Sequence, residues 1–122
     1  MIKINVAEIK KRLVGEKTLA YELSPAELEI TPEELVIDST VNLEGTMSNA
    51  GDVLLLQAVM TAKVQRTCGR CLKNFTGVAR AEVVEKFYPA SAEHIENDAF
   101  VYDSDVIDIT EPLREGLLLA EP

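Results

Sequence analysis

Both cysteines of the chain fall within the stretch RTCGRCLKNF, residues 66–75, as Cys68 and Cys71 among Arg66, Arg70 and Lys73. Residues of these types at this spacing support three kinds of chemistry. Two thiolates on a tight turn can share a metal ion or exchange a disulfide; alternatively, the pair can brace a turn that holds its cations out to a partner. Zinc takes four ligands, so Cys68 and Cys71 amount to a half-site. His94, the single histidine, stands in an acidic stretch and reads as a solvated loop residue rather than a third ligand. A zinc site completed by a second chain or by further residues stays open. Disulfide exchange requires a thiolate activated by a helix N-terminus or a nearby cation. The usual redox motif opens a helix in a strand–helix–strand frame, whereas this pair sits between two strand patterns, without the aromatic or proline that usually accompanies it.

The third reading is a docking knuckle, with the zinc half-site and, less favoured, a thiol oxidoreductase kept as alternatives. Lys63, Arg66, Arg70, Lys73 and Arg80 cluster around the cysteines, and guanidinium groups grip phosphates or carboxylates in two-point fashion. The charge map supports a localised contact. Residues 63–86 carry six Lys/Arg against Glu82 and Glu85, in a chain whose net charge is −9. A sequence-independent nucleic-acid binder would spread its cations more widely, because its affinity grows with the number of phosphates neutralised. Other chemistry is scarce. No glycine-rich phosphate loop follows a strand pattern, and no Ser/His/Asp set or convergent polar cluster for a small molecule stands out. Asp103, Asp105 and Asp108 lack the glycine and terminal glutamate of a calcium loop; Asp105 and Asp108 read as serving the turn into a final helix. No enzymatic activity is expected.

The elements that position the knuckle are mostly strands. Leu35, Ile37, Val41, Leu43 and Met47 alternate with polar residues, predicting a half-buried strand from residue 35 that ends at the turn SNAGD, with Gly51 free to take positive φ. A second strand over about 53–67 and a third over about 72–88, ended by Pro89, complete an antiparallel meander with the Cys pair at its second reversal. A short strand through Ile2, Ile4 and Val6 comes first, then a turn or two of helix, then a strand around Thr18–Leu23. SPAEL (24–28) and TPEEL (31–35) resemble helix starts but lie so close together that they read as turns. An acidic loop is expected at about 89–98, a short strand at FVYDSD (100–105), and a C-terminal helix capped by Thr110 with Ile109, Leu113 and Leu117 as its apolar stripe. The fold class expected is α+β, mainly β: one domain, 1–122, built on a twisted, barrel-like antiparallel sheet with one or two short helices. The apolar runs fall well short of a bilayer span and nothing resembles a secretory signal, so a cytoplasmic setting without a membrane partner is expected.

CGRCL at 68–72 after a long alternating strand, Phe75 three residues on, an acidic loop and then DVIDITEPLREGLLL together resemble the YceD family, the large ribosomal RNA subunit accumulation proteins. Cys68, Arg70, Cys71, Leu72 and Phe75 match the first part of the pattern. Asp105, Ile107, Asp108, Ile109, Glu111, Glu115 and Leu117 to Leu119 match the second. The likeness is sharp over about 60–120. The resemblance implies a non-enzymatic ribosome-biogenesis factor needed for 23S ribosomal RNA to accumulate, with a pre-ribosomal RNA or a ribosomal protein as its partner. Many members of that family carry, beyond the position of Pro122, a tail with further Cys pairs that looks like a zinc site together with the central pair. What this implies here is an alternative role as a structural zinc module, with Cys68 and Cys71 supplying half the ligands.

Overall fold

Alternation of apolar and polar residues turns the middle of the chain into long strands, and the short segments around them close the core. The computed structural model describes residues 2–11, 15–51, 53–67, 74–91 and 100–120. Their order is β1 (Lys3–Asn5), α1 (Ala7–Lys10), β2 (Glu16–Leu23), β3 (Val41–Asn49), β4 (Leu54–Thr67), β5 (Asn74–Pro89), β6 (Phe100–Tyr102), β7 (Val106–Asp108) and α2 (Thr110–Leu119). The protein is mainly β, with a central antiparallel meander β3–β4–β5 and a helix at the C-terminal end.

Five strands form one open sheet in the order β2-β3-β4-β5-β6, and β1 pairs with β7 in a separate ribbon. Among the described residues the sheet does not close on itself: β2 pairs with β3 alone and β6 with β5 alone. β6 runs parallel to β5, opposite only Phe87–Pro89, where the rings of Phe87 and Phe100 stack at 5.4 Å. One face of the sheet is the core side. It buries Leu19 and Leu23, Val41, Leu43 and Met47, the even-numbered residues of β4 from Leu54 to Val64, and Ala79, Ala81, Val83 and Phe87 of β5.

The strand expected from residue 35 starts later. Ile37 forms an isolated bridge with Val64, yet Asn42 pairs with Thr61, so the earlier segment advances five residues while β4 advances three. The surplus forms a bulge, stabilised by Ser39 Oγ, which accepts the Lys63 amide at 3.0 Å. Leu35 and Ile37 still pack against the core, so the alternation indicated burial correctly but not continuous pairing. At the turn after β3, Gly51 takes φ 98° and its amide donates to Asn49 Oδ1.

SPAEL and TPEEL are turns. In the first, the Ile30 amide reaches Pro25 O and the Glu29 amide reaches Ala26 O, a Schellman closure that puts Glu29 at φ 58°. In the second, Glu34 Oε1 accepts the Thr31 amide and hydroxyl, the back-reaching half of a capping box. Arg114 of α2 ties both turns down, donating to Glu29 O at 3.2 Å and to the Glu34 carboxylate. The Thr31 amide, the Arg114 guanidinium and the Thr31 hydroxyl hold the Glu34 carboxyl below its usual range.

The last helix starts differently from the expectation. Thr110 is its first helical residue rather than its cap. Its buried hydroxyl accepts the Ile2 amide at 2.7 Å and donates to Asp108 Oδ1 at 2.5 Å, and Asp108 Oδ1 also takes the Thr110 amide at 2.9 Å. Asp108 therefore does the capping, from two residues upstream. Burial opposes its charge, but the Thr110 hydroxyl and amide, together with Lys3, outweigh that and keep its carboxyl below the usual range. Ile109, Leu113 and Leu117 are fully buried, as their spacing of four predicts. Gly116 lets α2 lie close on β5, since a Cβ there would sit 2.6 Å from Val83 Cγ2.

Candidate docking surface

β4 and β5 pair without interruption from Leu54↔Phe87 to Thr67↔Asn74. Such a long regular ladder is a rigid support for whatever it displays at its open end. Six residues, 68–73, join the two strands there. Cys68, Arg70, Cys71 and Lys73 fall in that connection and lie outside the described residues, as does His94. Arg66 is within β4 with its backbone paired to Phe75; its side chain lies outside the described part. Of the expected acidic loop, residues 92–98 lie outside as well.

The two remaining cations are brought together. Lys63 pairs with Val78 and Arg80 with Thr61, so both project from the solvent face of the sheet as diagonal neighbours, about 7–8 Å apart in such a ladder. Lys63 is anchored by its backbone on both sides of the bulge: its amide donates to Ser39 Oγ and its carbonyl accepts the Asp38 amide at 2.8 Å. The Lys63 side chain is exposed and makes no ion pair among the described residues. Arg80 leans along its own strand and pairs with Glu82 at 2.7 Å, with both side chains more than half exposed. A pair this wet contributes at most about 1 kcal/mol and yields readily to a competing anion. Val78, 65% exposed, lies between the two cations. The positive area is narrow: the next row across the sheet is Ala20, Glu44, Val59 and Glu82, with an acid on both strands flanking β4. On the other side, Asp38 accepts from Gln65 Nε2 and Thr76 Oγ1.

Asp105 and Asp108 of the C-terminal motif serve the fold. Asp105 pairs with Lys10 at 2.9 Å, and its carbonyl accepts the Val6 amide. Asp108 holds Thr110, while Ile107 pairs with Ile4. Among the described residues no three His, Cys, Asp or Glu side chains converge to hold a metal ion. Four depressions among the described residues are open, of about 400 Å³ or less. No helix of the described residues is long and apolar enough to cross a membrane.

One feature carries no local signal in the sequence. Because β6 is only three residues long, the outer edge of β5 ahead of Phe87 has no strand beside it among the described residues. Glu85 of that edge and Glu115 of α2 line the same trough. They are thirty residues apart in the chain, so no local pattern indicates that they share it. Comparison with models of known protein families, with characterised proteins and with solved structures finds no match.

Proposed function

We propose that this chain is a non-enzymatic, cytoplasmic ribosome-biogenesis factor, needed for large-subunit (23S) ribosomal RNA to accumulate, which docks to a pre-ribosomal RNA or protein partner. The observation that carries this reading is the placement of Lys63 and Arg80 side by side on the solvent face of the β4–β5 ladder, leading into the connection that contains Arg70 and Lys73. The resemblance of CGRCL and DVIDITEPLREGLLL to the YceD family supplies the ribosomal context. The small positive area, bounded by Glu44, Glu82 and Asp38, suits one geometrically defined anionic contact better than a long tract of phosphates. Arg80 would exchange Glu82 for the partner at little cost.

The test is a charge-reversed protein in which Lys63, Arg66, Arg70, Lys73 and Arg80 all become Glu. It should keep its circular dichroism spectrum and lose co-sedimentation with ribosomal precursors. A folded variant that still co-sediments at the wild-type level would remove the reading.

A further inference from the structure

The edge of β5 from Ala79 to Lys86 is regular and unbulged, contains no proline, and is paired only on its β4 side among the described residues. Exposed strand edges invite an added strand, and proteins ordinarily blunt them with charged side chains, a bulge, a proline or a cover; among the described residues this edge carries the charges alone, Arg80, Glu82, Glu85 and Lys86. Here the edge opens instead into a trough of about 400 Å³, walled by Pro112, Glu115, Gly116 and Leu119 of α2. Its lining is chemically sorted. Val83 and Gly116 touch at the base, and Leu119, 84% exposed, stands on the rim. Glu85 and Glu115 are the carboxylates on the helix side, and neither has a cation partner among the described residues. The Glu85 carboxyl is raised above its usual range, by partial burial first and by the Glu115 charge second. On the solvent side the edge presents Val84, 63% exposed.

We propose that the trough between β5 and α2 receives an extended, lysine- or arginine-bearing segment of a partner protein as an added strand. Backbone hydrogen bonds along Ala79–Lys86 supply the affinity, and alternate side chains supply the selectivity, as in other strand additions. The cations of the segment face Glu85 and Glu115, while its intervening aliphatic side chains lie beside Val84. Charge argues against a second copy of the chain as the occupant, since it would set Glu85 and Glu115 against their own counterparts. This inference does not rest on the ribosomal reading, and its failure would leave the Lys63–Arg80 surface untouched.

The probe is a capped, strand-length peptide of alternating lysine and valine, titrated into the full chain with amide chemical shifts followed by NMR. Shifts concentrated on Ala79–Lys86 and on α2 are expected. Affinity should fall about tenfold or more in the E85K/E115K protein, the loss of a little over one kcal/mol. The same peptide N-methylated on alternate residues should also bind more weakly, because it can no longer donate to the edge; this arm leaves the protein unaltered. Binding that maps elsewhere, that is undiminished in E85K/E115K, or that survives N-methylation overturns the proposal. So does no detectable binding, an RNA oligonucleotide that occupies this edge more tightly than the peptide, or a dimer formed through it.

Discussion

Replacing Thr110 with Val removes one oxygen and almost no volume, and it isolates the junction between β1 and α2. In the native protein the Ile2 amide is buried and donates to Thr110 Oγ1 at 2.7 Å; that hydroxyl in turn donates to Asp108. The variant leaves the Ile2 amide without an acceptor, which costs about 1–3 kcal/mol. Loss of the bond to Asp108 adds about 1 kcal/mol, reduced from the usual value for a charged acceptor because that carboxylate is exposed to water. The sum is about 2–4 kcal/mol at pH 7, a Tm lower by roughly 10 °C. The two parts separate by pH. The Asp108 carboxyl is held below its ordinary range in the fold, so its contribution is complete above the unfolded value of about 3.9 and fades as pH falls through the lower folded value. Urea unfolding of both proteins at a series of pH values should show a difference that is largest near neutrality and narrows, as pH falls below the unfolded value, toward the amide share alone. A difference under about 0.5 kcal/mol at pH 7, or one that does not narrow in acid, refutes the account of this junction.

Three further variants probe the fold and the surface. Gly45→Ala should destabilise by about 2–3 kcal/mol in chemical denaturation, because the new Cβ would lie 2.2 Å from Gln57 O and 2.7 Å from Ala58 Cα, and two paired backbones have to separate. Glu29→Gly should stabilise by about 1 kcal/mol, read as a higher urea midpoint, since it relieves a non-glycine residue at φ 58° in the Schellman turn. Lys63→Glu with Arg80→Glu should leave the stability from urea unfolding within about 1 kcal/mol of wild type, because both side chains stand in water on the outer face and the Arg80–Glu82 pair that is disrupted is wet. A larger loss would mean that these cations hold the sheet together rather than face a partner.

Much of the core was legible because its cause is local. Leu43 and Met47 on β3, Leu56 and Met60 on β4, and Leu113 and Leu117 on α2 recur at the periods of their elements, and all are buried. What the pattern does not encode is who pairs with whom. Val106–Asp108 has no alternation long enough to mark a strand; β7 exists because β1 lies beside it. The segment 35–40 alternates properly and yet is interrupted by a bulge, since alternation reports the buried face and not the ladder. Thr110 looked like a cap, as threonine before an acidic first turn does, but its hydroxyl was claimed by an amide more than a hundred residues away. At the candidate surface, alternation correctly put Lys63 and Arg80 on one face. The neutralising pair Arg80–Glu82 also lies within that period, at a separation of two in one strand, and was available to be read. The Glu85–Glu115 pairing was not, because it depends on where α2 lands.

The pairing of Lys3–Asn5 with Val106–Asp108 has a consequence in time. During synthesis, β1 waits for its neighbour until about a hundred further residues have been translated. The meander can organise as its own strands emerge, since each joins the one made just before it. The ribbon that brings the beginning together with the final helix is a late event, and closing so long a loop places it among the slow, topology-limited steps of folding. A nascent chain halted shortly before residue 106 should therefore hold a formed sheet and a loose leading segment, and a few more residues of elongation should lock both.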